Sequence, residues 1–147
     1  MKSSYEQSKN GWNPRLKKRE LLNDREMKYL IMFTKEDDIP VSFISFKFDV
    51  EENMRDEFDY VVYCYEVQIS QKFRSLGLGS FMMNLIEELG RAWLMEKLML
   101  TVFTFNNRAI SFYENIGFEI DPISPNYPTN KSTYEGEDYQ IMSKLLD

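Results

Sequence analysis

The residues of this chain whose types and spacing most plainly suggest chemistry are Arg74-Ser75-Leu76-Gly77-Leu78-Gly79, set between a strand-like stretch, Tyr60 to Ile69, and a helix-like one, Ser80 to Leu94. Two glycines two positions apart let the backbone turn sharply and approach a ligand closely. A helix that starts there aims its unpaired N–H groups and positive dipole end at the same place. A pyrophosphate suits such a pocket of amides. The run is not a Walker loop, since no Lys-Ser/Thr follows Gly79, and not a dinucleotide fingerprint, since Met82 stands where a third glycine belongs. Taken alone, the pattern also fits a plain tight turn from strand to helix.

The chain contains no histidine. That excludes Ser-His-Asp and Cys-His activation of a nucleophile and every histidine-based metal site, so no metal is expected and protons must move through carboxylate, tyrosine, lysine or water. The one cysteine, Cys64, sits in a strand-like stretch and reads as inert packing. A single thiol makes neither an internal disulfide nor a multi-cysteine metal site, which fits a reducing compartment. A net charge of −6 argues against duplex DNA as a partner, because neutralising phosphates needs a basic face. A cationic substrate suits that charge, although solubility alone also explains it.

The elements that must position the loop follow from length and pattern. With 147 residues, 43% of them hydrophobic, the chain is expected to form one domain, 1–147, with a core of its own. No apolar run approaches the ~20 residues of a bilayer span, and Met1 to Asn10 lacks a signal-peptide core, so an intracellular chain with no membrane partner is expected. Tyr5 to Asn23, divided by Pro14, reads as a broken helical region over 1–23. Lys28 to Thr34 and Val41 to Val50, rich in β-branched and aromatic residues around a polar turn ending in Pro40, predict an antiparallel hairpin. Glu51 to Asp59 reads as an acidic connector, and Tyr60 to Ile69 as a central strand. From Ser80, Phe81, Met82, Leu85, Ile86, Leu89 and Trp93 recur at helical spacing, leaving Glu87, Glu88 and Arg91 outside the stripe. Leu98 to Phe105 predicts a strand, Asn107 to Asn115 a short helix stopped by Gly117, Phe118 to Ile120 a strand, and Asp138 to Leu145 a last strand after a Pro/Asn-rich loop, Asp121 to Thr133. The expected class is a mixed α/β fold: an N-terminal antiparallel hairpin joined to a βαβαβ unit around a central mixed sheet, with parallel strands in that unit.

A second segment, Asn106-Asn107-Arg108-Ala109 followed by Phe112-Tyr113 and Gly117-Phe118, lies 27 residues beyond Gly79. R-x-x-G-x-G at Arg74 to Gly79 together with N-x-x-A-x-x-F-Y-x-x-x-G-F at Asn106 to Phe118, in this order of strands and helices, resembles the GNAT family of N-acetyltransferases. The resemblance spans Lys28 to Leu145. It implies acetyl-coenzyme A held by the backbone of Val67, Gln68 and Ile69 and by the amides of Arg74, Ser75, Leu76, Gly77, Leu78, Gly79 and Ser80. It also implies that Asn106 contacts the cofactor and that Tyr113 stands near its sulfur.

Tyr5-Glu6-Gln7-Ser8, Tyr63-Cys64-Tyr65-Glu66-Val67-Gln68 and Met99-Leu100-Thr101-Val102-Phe103 resemble, more narrowly, the NatD branch of the protein N-terminal acetyltransferases. That resemblance implies transfer to the α-amine of histones two-A and four, which begin Ser-Gly-Arg-Gly. The peptide site would be lined by Tyr5, Tyr65, Thr101 and Tyr139, with Asp49 and Glu51 holding the peptide's arginine. Histone tails and the ribosome are the expected partners, of a monomer in nucleus and cytoplasm. Three departures stand out: a segment before Lys28 shorter than is usual in that branch, Asn10 where an aromatic residue is expected, and a longer loop from Glu51 to Asp59.

The residues support acyl transfer to an amine on their own terms. A free α-amine has a pKa of ~7.7 to 8.0, so only a modest base is needed near neutrality, and a carboxylate acting through water suffices. Glu66, where the central strand nears the loop, is the candidate base; a solvated strand-end glutamate is the plainer alternative. Tyr113 is the candidate proton donor to a departing thiolate, or simply packing beside Phe112, and Tyr139 is a candidate in both the catalytic and the peptide-lining sets. Tyr63, Tyr65 and Tyr139 form either a narrow slot for a small first residue or aromatic core. Asp49, Glu51 and Glu52 form either a guanidinium clamp or a solvated acidic turn. No covalent enzyme intermediate is expected, because Cys64 has no base to activate it. A small-amine acetyltransferase acting on a polyamine, or a non-catalytic acyl-coenzyme A-binding adaptor, are the competing readings.

Overall fold

The structure, a computed structural model, describes Arg15, residues 26–129 and residues 136–147. The predicted helical region over 1–23, with Tyr5, lies outside the described residues apart from Arg15. From Met27 on, the described residues form six strands and two helices in the order β1 (Lys28–Phe33), β2 (Pro40–Glu52), β3 (Phe58–Ile69), α1 (Leu78–Ala92), β4 (Lys97–Phe103), α2 (Asn107–Asn115), β5 (Glu119–Ile120) and β6 (Tyr139–Leu145), with a 3-10 turn at Gln71–Phe73. The strand order β1-β2-β3-β4-β6-β5 makes a mixed sheet of the expected α/β class. Contacts divide the chain into a compact unit of Met27–Leu100 with Lys144–Asp147 and another built around Thr101–Ser143.

In the first unit, β1 and β2 form the predicted hairpin, closed by Thr34, whose N–H donates to the Ile39 carbonyl (2.8 Å) and whose hydroxyl accepts from the Ile39 N–H (3.0 Å). The acidic connector expected at Glu51 to Asp59 is instead the end of a second hairpin, with strand at both its ends. β2 runs on to Glu52 and β3 begins at Phe58, leaving a tight turn built by Asn53. The Asn53 side chain accepts from the N–H groups of Arg55 and Glu57, and Asp56 takes the left-handed conformation at φ 58°; a polar composition concealed a hairpin that one asparagine closes. Asp59 is steadied by Lys97 at 3.0 Å. Burial acts to raise the Asp59 carboxyl, but the Lys97 ammonium and the Asn53 amide outweigh it and hold it below the ordinary value.

β3 pairs in parallel with β4 from Val61↔Lys97 to Cys64↔Leu100, and α1 makes the crossover between them. The helix starts at Leu78, two residues before the sequence pattern suggests, so Gly79 and Ser80 lie in its first turn. Its buried face is Gly79, Met82, Met83, Ile86, Glu87 and Gly90, whereas Phe81 and Trp93 are half or more exposed. Hydrophobic periodicity misjudged this face because it gave no weight to Gly79 and Gly90, both buried, and at Gly90 the helix closely approaches its neighbours. A Cβ on Gly90 would sit 2.8 Å from Val62 Cγ2 and 2.7 Å from Leu146 Cδ1. The same rotation brings Glu87 inside, where Arg91 (2.6 Å) and Lys144 (3.0 Å) neutralise it.

In the second unit, α2 matches its predicted span. Asn106 caps its start by accepting from the Ala109 N–H at 3.2 Å. Gly117 ends it at φ 100°, its N–H reaching the Glu114 carbonyl while the Phe118 N–H reaches that of Tyr113, the paired bonds of a Schellman ending. β5 does not extend a parallel βαβαβ series; it pairs antiparallel with β6, Glu119↔Ser143 and Ile120↔Met142. Two residues are too few to hold a place beside β4, and the longer β6 takes it. The part of the Pro/Asn-rich loop that is described is tied down: Ser124 Oγ accepts from the Ile141 N–H, and the Asn126 amide donates to Gln140.

Alanine at position 90 tests the close approach of α1. Overpacking at the buried, stiff Val62 costs ~1–3 kcal/mol, more than the ~1 kcal/mol that replacing a helical glycine contributes. Gly90→Ala is therefore expected to lower Tm by a few degrees in thermal denaturation. A Tm at or above the parent value would show that the helix does not rest on that contact.

Candidate functional site

The sequence patterns converge on the far half of β3 and the start of α1. Gly77 is the N-cap of α1, in the left-handed conformation at φ 78°, with no side chain to cap the helix and no acidic residue in the first turn. The first intrahelical bond is Phe81 N–H to the Gly77 carbonyl (3.1 Å), so the N–H groups of Leu78, Gly79 and Ser80 precede the helical ladder. Nothing lies within 4 Å of where a Gly77 Cβ would be, so that end of the helix is open. Ser75 also takes positive φ (63°), and Arg74 folds back so that its Nε donates to the Ile69 carbonyl at 3.2 Å. The result is a curl of exposed backbone with a helix dipole behind it, suited to an anionic diphosphate.

The ladder joining β3 to β4 ends at Cys64↔Leu100, whereas the ladder joining β3 to β2 continues to Ser42↔Ile69. Val67, Gln68 and Ile69 thus lead into the anion curl beyond the end of the parallel pairing, as expected of residues that offer backbone to a ligand.

Between Ser45 and Phe46 of β2 the register shifts. Phe46 pairs with Cys64 but Ser45 pairs with Glu66, so Tyr65 is one residue extra in β3. Side chains of opposed residues share a face. Val62 and Phe48 belong to the face covered by α1, where Val62 meets Gly90 and the Phe48 ring lies 6.4 Å from Trp93. Lys47↔Tyr63, Asp49↔Val61 and Glu51↔Asp59 belong to the opposite face. The bulge switches the alternation, so Glu66 joins Ser45, Lys47 and Tyr63 there rather than following Cys64 beneath the helix. Tyr65 turns the same way: its ring is 5.1 Å from that of Tyr63, with Lys47 Nζ 5.3 Å from its centre. Asp49, Glu51, Tyr63, Tyr65 and Glu66, singled out separately, are thereby gathered on one face of β2 and β3.

Glu66 is only 7% exposed, which rules out a solvated strand-end glutamate. Asp49 already has a cation close by, Lys47 at 3.8 Å, and its other oxygen accepts from the Val50 N–H. Cys64 is buried, and burial pushes its thiol from an ordinary 9.0 up to about 12, the charge of Glu66 adding to the shift and hydrogen bonding with the Glu66 backbone opposing it. That excludes it as a nucleophile near neutrality. Among the described residues no group of three or more carboxylate or thiol side chains is arranged to hold a metal ion.

The other sequence-predicted residues belong to the second unit. Asn106 spends its side-chain oxygen on the α2 cap. The Tyr113 ring packs edge-on against Phe112 (5.1 Å) and Phe118 (5.6 Å) and is half-buried. Thr101 is exposed on β4, and Tyr139 opens β6 half-buried. The sequence reasoning missed Lys47 and Ser45, which join the gathered face, and the bulge itself. The available signal was Glu66: strict alternation from Val62 and Cys64 puts a carboxylate on the core face, a conflict that an inserted residue resolves.

Residues 1–118 match the sequence model of the acetyltransferase (GNAT) family. Among solved structures, the chain is similar to NAA60 of Arabidopsis thaliana in complex with a bisubstrate analogue, with TM-score 0.67 and 13% identity over 93% of this chain and 86% of that one. It is also similar to Naa50 of the same plant with the bisubstrate analogue CoA-Ac-MVNAL (TM-score 0.55, 24% identity, 91% and 82% covered). A putative streptothricin acetyltransferase from Bacillus anthracis in complex with acetyl coenzyme A matches with TM-score 0.61 and 20% identity, over 88% of this chain and 68% of that one.

The buried thiol makes its own prediction. A group whose folded-state pKa is raised contributes stability below its ordinary value and loses it as pH climbs through the raised one. Between pH 9.0 and about 12 the urea midpoint of the parent should therefore fall more steeply than that of Cys64→Ala. Parallel curves would remove Cys64 from the alkaline transition.

Proposed function

The chain belongs to the acetyltransferase (GNAT) family, and from that premise we propose that its acceptor is a protein α-amine, that of a Ser-Gly-Arg-Gly terminus as found on histones two-A and four. Acetyl-coenzyme A is the acyl donor of such an enzyme, and when bound it supplies an acetyl group activated as a thioester. The residues present fit it: the open first-turn amides of Leu78, Gly79 and Ser80, the curl from Arg74 to Gly77 and the backbone of Val67, Gln68 and Ile69 would hold its pyrophosphate and its amide-bearing arm.

The observation that carries the reading is that Tyr63, Tyr65, Asp49 and Glu51 share one face and that the bulge brings Glu66 to it. Two tyrosine rings beside a buried carboxylate make a narrow wall suited to a small first residue such as serine, with glycine behind it. The Glu66 carboxylate takes a proton from the incoming amine through water. An α-amine asks little of such a base, because its pKa of ~8 already leaves a fraction neutral at pH 7. Asp49 and Glu51 lie farther along β2 on the same face, toward the Asn53 turn, where a guanidinium two residues into a peptide could reach them. For Asp49 it would compete with Lys47. Tyr113 is the group proposed to protonate the leaving thiolate.

Mass spectrometry of a Ser-Gly-Arg-Gly peptide after reaction with enzyme and acetyl-coenzyme A should find the acetyl group on the terminal nitrogen, with turnover falling when the arginine is replaced. Acetylation of lysine alone, or a preference for spermidine in competition, would overturn the acceptor assignment. Glu66→Gln should lower kcat by roughly 10²- to 10⁴-fold while leaving acetyl-coenzyme A binding intact by calorimetry. Gly77→Ala meets no atom but must bear the left-handed conformation at ~1–2 kcal/mol. It should weaken acetyl-coenzyme A binding about tenfold; unchanged affinity would show that the curl does not hold the cofactor.

A further inference from the structure

Ser45 is fully buried, and its hydroxyl has no hydrogen-bond partner in the structure. A hydroxyl left so costs on the order of 1–3 kcal/mol, and a serine in mid-sheet is easily replaced by alanine or valine, so its retention asks for a reason. Its place supplies one. Ser45 pairs with Tyr29 of β1 on one side and with Glu66 of β3 on the other, so Tyr29, Ser45 and Glu66 form one row across three strands. Only the extra residue at Tyr65 puts Glu66 in that row. Directly opposed Cβ atoms stand ~4.5–5.5 Å apart, and Ser45 makes no direct bond to the carboxylate, so the spacing suits one bridging water.

We propose that Ser45 is a positioning residue for acyl transfer: its hydroxyl holds the water through which Glu66 takes the proton of the acceptor amine. The inference rests on the reading of Glu66 as base. In the step, an N–H bond of the attacking amine breaks and its proton joins the water, while a proton of that water passes to a Glu66 carboxylate oxygen. The Ser45 hydroxyl donates to or accepts from the same water throughout and is unchanged. The charged and titratable groups on this face with Glu66 are Lys47, Asp49, Glu51, Asp59, Lys97, Tyr29, Tyr63 and Tyr65, with Cys64 two residues away in the chain.

The test compares Ser45→Ala, Ser45→Thr, Glu66→Gln and the Ser45→Ala/Glu66→Gln double variant in kcat, KM, pH profile and calorimetric affinity for acetyl-coenzyme A. Ser42→Ala serves as control, since Ser42 is equally buried and equally without a hydrogen-bond partner but lies on the α1 face. Ser45→Ala should lower kcat roughly ten- to hundredfold with little change in KM or cofactor affinity. It should also move the acid limb of the kcat/KM profile to higher pH, because the carboxylate form of Glu66 loses hydrogen-bonded support. Ser45→Thr should restore the profile, Ser42→Ala should leave it unmoved, and Ser45→Ala should do nothing further once Glu66 is glutamine. Multiplicative effects in the double variant, or a Ser45→Ala enzyme altered only in Tm, would overturn the proposal while leaving Glu66 as base. A fully active Glu66→Gln enzyme would overturn both.

Discussion

One extra residue in β3 decides which side of the sheet receives a carboxylate. Alternation along a strand is rigid: Val62 and Cys64 face α1, and without Tyr65 as a bulge Glu66 would follow them beneath a helix whose buried residues include Met82, Met83 and Ile86. A carboxylate there would cost several kcal/mol or be neutralised. The bulge moves it to the face of Lys47, Tyr63 and Asp49 and so converts a liability into a buried group among polar and aromatic neighbours. Lys47, Asp49, Tyr63 and Tyr65 lie on that face by plain alternation, and the shift is what brings Glu66 to them.

The second constraint sets the cofactor side against the same strand. α1 is held by a glycine near each end: Gly90 lets it settle against Val62 of β3, and Gly77 supplies the left-handed turn from which its first amides open. The helix cannot slide without Gly90 losing its fit, so the amides of Leu78 to Ser80 keep a fixed relation to the end of β3. The buried Glu87, held between Arg91 and Lys144, adds charge pairing to that seat. The chain thus positions the open amides of Leu78 to Ser80 and its buried carboxylate from one strand.

Much of this was legible in the residues. The hairpin of β1 and β2, the central strand, the loop of Arg74 to Gly79 and the short helix with its Asn106 start and Gly117 stop are all local signals, carried by turn chemistry and caps within a few positions. What escaped depends on partners distant in sequence. The turn at Asn53 was hidden by acidic composition, the true face of α1 by glycines that a hydrophobic count ignores, and the place of β5 by competition with β6 for a neighbour. The bulge at Tyr65 escaped for the same reason: it exists only as a mismatch between β2 and β3. Lys47 and Ser45 gain meaning only once Glu66 has been turned toward them.

Under the proposed transfer to an amine, a sequence that holds no histidine favours acceptors that need little help from a base. At pH 7 roughly one α-amine in ten is neutral, against about one lysine side chain in 2,500, from their ordinary pKa values of ~8 and ~10.4. The difference of ~3 kcal/mol is what a lysine acetyltransferase must find elsewhere. Among the described residues of the gathered face, the carboxylate buried beside the tyrosines is Glu66, and the thiol at Cys64 is held protonated, so no stronger base is seen there. Lys47 does not close that gap: it stands 3.8 Å from Asp49, so the charge of one offsets that of the other. An acceptor with an appreciable neutral fraction at pH 7 is therefore the one that suits the proposed carboxylate base.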